Sequence, residues 1–551
     1  MAPTALLDLR KKYGTDATHF AMLMIGVLIV SVAFRLNSTT PDVSWLIDMC
    51  ARMVNGERAY VDIFETTPPI PVLIYYPGAW LEANVGLSAE FFVYSYTYLV
   101  YGATIWLCWR ILPRQIDGLG PSHWYIIMPL AIFLFVLSFD TFAQRETFGV
   151  VLMLPIICLL ITYRQTRAWT HLNLRLAAAL MAGLGAAIKP PIFTLPLLLC
   201  GGYLLLTERK IRPLYSSGLI ASSIAFTLIS AAAFSAHHAY FDGVYQLMRD
   251  IYVPIRWSIW ASLVQPHFLM CVLCVLFTNL RTRGLKHATE VDKIFLMCIG
   301  AFTAIYFYQG KYFDYHAVPI GLFAFVLVWA TALKLAKQAH VTNREDTSLA
   351  DRNLLRHSAI LNISVFFLCL GFIASMDDDE PTLKDMTWAQ SLDEPTALSI
   401  CDGTITGFPI AREINAKWVN RIHCQWSPAW IEAMLRNKDL SDTQRGTFLT
   451  YQRQELDRTA TVIAKERPQI IIQGVSRSVD WITHELLNRN PQLLDGYKIV
   501  AEDGHQRILM RTDQEKTNPD DLNAAAYLDQ ILAGKSIAAV PAQTATAQHA
   551  P

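Results

Sequence analysis

"PDVSWLIDMCARMVNGERAYVDIFETTPPIPVL", residues 41–73, follows the first strongly apolar run of the chain. It holds Asp42, Asp48, Glu57, Asp62 and Glu65 and closes on the pair Pro68-Pro69. A carboxylate in a loop is ordinarily just solvated. This stretch differs in being long for a connector, in its periodicity and in its prolines. "SWLIDMCARMV" is amphipathic and predicts a helix lying along a membrane surface, with Asp48 on its wet face. The prolines of "ETTPPIPV" fix the direction of the chain. A rigid, acid-bearing loop at a membrane surface suits general-base chemistry on a lipid-linked substrate.

Outward from that loop the chain is greasy. Of its 551 residues 53% are hydrophobic and 17% charged, against about 25% charged in ordinary soluble domains. Apolar runs near 18–35, 89–110, 124–140, 147–163, 174–188, 191–207, 215–237, 262–280, 292–308, 316–333 and 358–375 approach or reach the length that spans hydrocarbon. The expected fold is an α-helical polytopic membrane protein with about eleven spans. The two runs around Lys189 are short and flank "IKPP", which predicts tilted, broken or re-entrant helices. The first run lacks a clear cleavage site and is read as a span rather than a signal peptide. Net charge is zero, and no nucleic-acid partner is expected; membrane lipids are.

Basic clusters fall on alternate loops: Arg10 to Lys12, Arg110 and Arg114, Arg164 and Arg167, Arg209 to Arg212, Arg281 to Lys293, and Lys334 to Arg356. The positive-inside pattern puts the N-terminus in the cytoplasm and residues 41–73 and the C-terminal region outside. The expected domains are a membrane part, 1–375, with its first external loop at 36–88, an external α/β domain at 376–512, and a flexible tail at 513–551. In the external domain "ALSICDG" and "QIIIQG" read as strands, "RGTFLTYQRQELDRTATVIAKE" and "DWITHELLNRN" as helices, and "YKIVAEDGHQRILMR" as a hairpin turning at Asp503-Gly504. Cys401 and Cys424 lie there, where a disulfide is permitted; spacing leaves bonded and free equally open.

The motifs carry a resemblance. "PDVSWLIDMCARMVNGERAYVDIFETTPPI" resembles the first external loop of GT-C fold membrane glycosyltransferases, the superfamily of protein O-mannosyltransferases and lipid A aminoarabinose transferases, with Asp42, Gly56, Tyr60, Asp62, Glu65, Pro68 and Pro69 in the matching places. Many members carry two acids at the start, where this chain has Asp42-Val43. "FDTFAQRETFGVVLMLP" is similar to a second loop, with Gln144, Arg145, Glu146 and nearby Asp140; "GLGAAIKPPIFTLPL" to a third, with Lys189 and Pro190; and "YQGKYFDYHAVPI" to a late loop, with Gln309, Lys311, Tyr315, His316 and Pro319. The tail, through "NAKWVNRIHCQW", looks like the external appendage of such proteins.

The resemblance implies inverting transfer of a sugar from a polyprenyl-phosphate carrier to an envelope hydroxyl on lipid, glycan or protein, at the periplasmic face of a bacterial inner membrane. Asp42 is then the candidate base. The departing phosphate needs cations, and the external side offers Arg145, Lys189, Arg249, Arg256 and Lys311; each has snorkelling to the interface as its plain alternative. His316 is a candidate for donor phosphate or sugar, or a satisfied interfacial histidine, and Tyr245 is the one aromatic of its segment singled out for donor contact. Glu65 and Asp140 bind acceptor, orient a cation, or pair with Arg145 or Lys311. Asp62 supports the site or fixes the turn, Glu146 is a charge at a helix start, and Gln144 supports its neighbours. No cofactor is required; a divalent metal, Mg or Mn, held by Asp42, Asp62 and Glu65 is an open alternative. His237-His238 reads as structural. The rival functions are a lipid or polysaccharide transporter or flippase, disfavoured by charges at span ends and by the lack of repeats, and a non-catalytic assembly factor.

Overall fold

The computed structural model describes residues 3–35, 40–116, 123–138, 141–216, 218–256, 288–311, 313–342, 387–389, 392–436 and 440–512, with scattered positions from 258 to 279. The expected span at 358–375, most of that at 262–280, Asp140, the junction at 375–376 and residues 513–551 lie outside them. Among the described residues five helices are long and apolar enough to cross a membrane: Asp16–Ala33, Ala89–Ile111, Arg145–Thr166, Leu219–Ala236 and Glu290–Gln309. Shorter apolar helices at Trp124–Leu137, Leu172–Ile188, Ile192–Glu208 and Tyr315–Ala330 join them. All fall on runs expected from hydropathy, and the protein is a multi-pass helical membrane protein.

In chain order the helices are α1 (Pro3–Arg35), α2 (Pro41–Val54), α3 (Pro69–Leu73), α4 (Tyr76–Val85), α5 (Ala89–Ile111), α6 (Trp124–Ile132), α7 (Arg145–Thr166), α8 (Leu172–Ile188), α9 (Pro190–Glu208), α10 (Leu219–Ala236), α11 (Glu290–Gln309) and α12 (Asp314–Thr342). Helix α7 is the central post: every residue from Glu146 to Thr162 is buried. A helix apolar all round belongs inside a bundle. Two glycines let its neighbours reach its backbone. A Cβ on Gly149 would lie 2.2 Å from the Phe193 ring, and one on Gly185 would lie 2.8 Å from the Gly149 carbonyl. The break expected at "IKPP" is real. Helix α8 stops at Ile188 and α9 starts at Pro190, because the residue before proline avoids helical geometry. Lys189 sits at the break with φ −144 and ψ 83, held against the start of α7.

The 22 residues of α7 separate two polar ends by about 33 Å. At its C-terminal end Arg164 pairs with Glu208 at 2.5 Å and Glu290 at 2.6 Å, and Lys293 joins Glu290 at 2.9 Å. At its N-terminal end lie the residues of the acid-bearing loop and the tail domain.

The tail is the small α/β domain expected. Strands β1 (Thr396–Ile400), β2 (Lys417–Trp418), β3 (Ile470–Gly474), β4 (Tyr497–Glu502) and β5 (Gln506–Arg511) form one sheet in the order β2-β1-β3-β5-β4. β1 runs parallel to β2 and β3, and β5 is antiparallel to both β3 and β4. Helices α13 (Trp426–Leu435), α14 (Asp442–Glu466) and α15 (Arg477–Arg489) complete it. The run "IIIQG" is buried throughout because both faces of the sheet are covered. Ile471 packs with Leu456, Ile463, Ile482 and Leu486 of α14 and α15. Ile470 and Ile472 face the other way, into the cluster that contains Trp45 of α2.

That second face is the dock. The Trp45 ring centroid is 5.4 Å from Phe408, which is 4.8 Å from Trp418. Arg412 pairs with Glu82 at 2.8 Å and also with Glu90. Arg52 Nη1 donates to the Asn420 carbonyl at 2.8 Å, and Phe64 N–H to the Arg421 carbonyl at 2.7 Å. The expectation of a surface helix at 44–54 is therefore corrected. Residues 43–50 are all buried, covered by the tail on the side that would have met water. Asp48 is buried with them; burial raises its carboxyl to about 6, against the pull of Arg52 and Arg412. Phe408→Ala removes the central ring of the dock and costs about 3–5 kcal/mol. The check is amide hydrogen exchange, which should accelerate over residues 41–54 while α7 stays protected.

Candidate functional site

Helix α2 begins at Pro41, a residue suited to a first helical turn, with Thr40 as N-cap. That places Asp42 in the first turn, aimed at the start of α7. Arg145 Nη2 lies 3.8 Å from Asp42 Oδ2, and Arg145 Nε lies 3.4 Å from Glu146 Oε1. Arg145 Nη1 also donates to Thr67 Oγ1 at 2.9 Å. Lys189, from the helix break, pairs with Glu146, and its Nζ stands 3.4 Å from His316 Nε2. The Tyr315 ring is shared by two cations, Arg145 Cζ at 5.6 Å and Lys189 Nζ at 5.8 Å. The four loops singled out in the sequence thus send side chains to the same end of the bundle.

The tail contributes as well. His423 Nδ1 is 3.8 Å from Glu65 Oε2, and its ring is 5.1 Å from that of Trp45. Glu65 accepts from Trp45 Nε1 at 2.5 Å and from the Thr67 N–H at 2.7 Å. Tyr60 and Tyr75 donate to the Thr67 and Ala143 carbonyls at 2.9 and 2.8 Å, tying the acid loop to the segment before α7.

The two loop carboxylates are tuned apart. Burial outweighs the attraction of Arg145 and His423 and holds the Asp42 carboxyl above the ordinary aspartate range. Burial also works to raise Glu65, but His423, Arg145 and the donors of Thr67 and Trp45 prevail and keep it below the usual glutamate range. Burial lowers His423. A raised pKa suits a general base, which works best near the ambient pH. Several buried atoms of the cluster lack a hydrogen-bond partner among the described residues: Gln144 Oε1, Glu146 Oε2, His316 Nδ1 and His423 Nδ1. Buried polar atoms are almost always paired, so this concentration marks a place built to meet a polar ligand or water.

Lys311 stands one step away. It is 3% exposed and donates to the carbonyls of Tyr252 and Ile255. Its Nζ lies 4.3 Å over the Tyr252 ring and 5.4 Å over Trp430 of the tail. Burial, helped by Arg256, brings its ammonium down to about 7. No carboxylate pairs with Lys311 among the described residues. The Tyr252 ring that carries Lys311 also packs on Trp426 and Trp430 of the tail.

Other expected residues lie outside the acid cluster. Arg249 is exposed and pairs with its neighbour Asp250 at 2.7 Å. Tyr245 is 50% exposed, against Phe241. Asp62 pairs with exposed Arg58 at 3.0 Å, so it fixes the turn and does not complete a metal set with Asp42 and Glu65. Among the described residues no three of His, Cys, Asp and Glu are grouped to hold a metal. Arg256 is exposed, 5.3 Å over the Tyr308 ring and packed on Gly310. Cys401 and Cys424 are neighbouring buried thiols and are not bonded. His237 packs edge-on to Tyr60 at 6.0 Å, the structural role expected. Sequence reading missed Trp45, Thr67, Tyr252, His423 and Trp430 as parts of the site. Only the aromatic and histidine content of "IHCQW" hinted at the tail's share.

The fold is similar to a solved one. The crystal structure of ArnT from Cupriavidus metallidurans bound to undecaprenyl phosphate aligns with a TM-score of 0.51 and 13% identity, over 91% of this chain and 99% of that one. The likeness is one of fold, and that fold is the GT-C-like one expected from the sequence. No family model and no curated protein matches the sequence.

The Glu146–Lys189 pair is the strut of the site, with Glu146 1% exposed. Glu146→Gln leaves Lys189 and Arg145 undercompensated and costs about 3–5 kcal/mol. Thermal-shift measurements should show Glu146→Gln plus Lys189→Gln falling less than the sum of the single changes.

Proposed function

We propose that the chain is an inverting glycosyltransferase of the cell inner membrane. It moves a sugar from a polyprenyl-phosphate carrier to a hydroxyl of an envelope lipid, glycan or protein on the periplasmic face. The observation that carries this reading is the meeting of Asp42 with Arg145, Glu146 and Lys189 at one end of a GT-C bundle, beneath the tail domain. The undecaprenyl phosphate named with ArnT favours a lipid-phosphate donor. Arg164, Arg167 and Lys293 gather at the opposite end, where the positive-inside rule favours the cytoplasm.

Asp42 takes the acceptor's proton as its oxygen attacks the anomeric carbon. The new C–O bond forms on the face opposite the old one, and the carrier phosphate leaves with the electron pair. Lys311 is the cation for that phosphate, because among the described residues it has no carboxylate to satisfy, whereas Arg145 and Lys189 are engaged by acids. Arg256 lies beside it at the exposed rim. Arg145 holds Asp42 in place, and Glu146 and Lys189 hold Arg145 and His316. A donor phosphate here converts a costly buried ammonium into a charge-assisted pair. The charges collect at the bundle ends rather than mid-span, which favours an enzyme over a transporter.

Asp42→Asn should lower transfer about 10²–10⁴-fold with normal expression. Mass spectrometry of envelope lipids, glycans and proteins from cells with and without the chain identifies the modified component. Unchanged product in the variant contradicts the assignment.

The pH profile should be a bell. Asp42 must be ionised and its carboxyl is raised, so the acid limb lies above the value of about 3.9 for a free aspartate. Lys311 must be charged to hold the phosphate, so donor KM should climb as pH rises through about 7. Lys311→Gln should raise donor KM about tenfold or more and abolish that limb.

A further inference from the structure

One short segment of the tail, His423 to Trp430, touches both the acid cluster and the surroundings of Lys311. His423 reaches Glu65 at 3.8 Å. Trp426 and Trp430 pack on the Tyr252 ring at 5.8 and 6.0 Å, and the Trp430 ring is 5.4 Å from the Lys311 ammonium. Cys424 lies inside that segment, 2% exposed, and the transfer chemistry leaves it unused.

The segment is moored to the end of β1. Gln425 N–H donates to the Cys401 carbonyl at 2.7 Å, and Cys401 N–H donates back to Gln425 Oε1 at 2.9 Å. Gln425 Nε2 donates to the Ser399 carbonyl at 3.0 Å, and Ser399 Oγ to the His423 carbonyl at 2.6 Å. Cys401 Sγ stands 3.9 Å from that same His423 oxygen. The residues on both sides of Cys424 are therefore bonded to β1 at Ser399 and Cys401.

This mooring fixes where Cys424 lies. Val419 N–H donates to the Ala397 carbonyl at 3.0 Å, and there Trp418 is the parallel partner of Ala397. Gln425 bonds to Cys401 in the same way, so Cys424 stands opposite Cys401. Neighbouring strands are about 4.8 Å apart, inside the range of about 4.4–6.8 Å between Cα atoms that a disulfide needs. The two side chains also share a side. Both are buried in one apolar cluster with Ile251, Trp426, Ile431 and Phe448.

We propose that Cys401 and Cys424 are closed into a disulfide as the tail folds, and that the bond clamps the His423–Trp430 segment to β1. The proposal rests on the reading that the tail lies at the periplasmic face, where thiols are oxidised. The oxidant is a protein disulfide. One cysteine thiolate attacks it, forming a mixed disulfide and releasing one oxidant thiolate. The other cysteine thiolate attacks the bonded cysteine sulfur and releases the second. Two protons and two electrons leave the pair, and the oxidant disulfide becomes a dithiol. With the two cysteines 0% and 2% exposed, exchange precedes closure of the apolar cluster, and the finished bond is shielded from reductants.

The test is mass spectrometry of the full chain from cells quenched in acid, with free thiols blocked by iodoacetamide under denaturing conditions and no reductant. The Cys401 and Cys424 peptides are expected joined, two hydrogens lighter than their sum. Recovery of both as separate alkylated peptides overturns the bond. In the double variant Cys401→Ser, Cys424→Ser, amide exchange over residues 419–430 is expected to accelerate about tenfold or more, with residues 470–474 unchanged. Unchanged exchange over 419–430 overturns the clamp. The side of the tail is read separately, by labelling His505→Cys in spheroplasts with a membrane-impermeant maleimide. A labelled tail whose natural pair is alkylated sinks the disulfide and leaves the periplasmic reading standing. An unlabelled tail sinks the periplasmic reading, while the peptide masses still decide the bond.

Discussion

The site depends on how Trp45 is held. Its indole N–H donates to Glu65 at 2.5 Å, while its ring packs on Phe408 and beside His423 of the tail. An aromatic with a polar handle is suited to such a junction, where one edge is dry and the other meets a charge. Through it the acid loop, α2 and the tail sheet form one body. Without the tail, the face of α2 that carries Trp45 and Asp48 would meet water, and Glu65 would lose the burial that makes its donors effective.

The second constraint is charge. Asp42, Glu65 and Glu146 stand against Arg145 and Lys189 in a buried place, where each uncompensated charge is costly. The cluster is held by the pairs Arg145–Asp42, Arg145–Glu146 and Lys189–Glu146. Lys311 is built differently. Backbone carbonyls and the rings of Tyr252 and Trp430 stabilise it, and these partners do not neutralise it. The acids and cations of the cluster thus face one another, whereas Lys311 has no acid partner among the described residues.

Much of the membrane part was legible because hydropathy and proline are local signals. The spans, the break at Lys189 and the convergence of the loops bearing Asp42, Arg145, Lys189 and His316 follow from run lengths and from which loops share a face. In the tail β1, β3, β4, β5, α14 and α15 followed from period, whereas β2 and α13 did not, and the Ser441–Gln444 capping box that starts α14 went unread. What the sequence could not convey was contact between distant segments. Nothing local to α2 says that its wet face meets Phe408 and Trp418, so Asp48 read as solvated. Nothing in "IHCQW" says that His423 reaches Glu65. Arg249 and Tyr245 looked like site residues because polar and aromatic groups near a membrane are scarce, yet their side chains turn outward.

The account turns on where a carrier phosphate lies relative to these groups. Cryo-electron microscopy of the full chain in nanodiscs loaded with undecaprenyl phosphate measures that directly. The predicted map has phosphate density against the Lys311 ammonium, at the same bundle end as the Asp42 carboxylate and beneath a docked tail. Phosphate held at the opposite end, beside Arg164, or a tail undocked from α2 in the bound state, would contradict it.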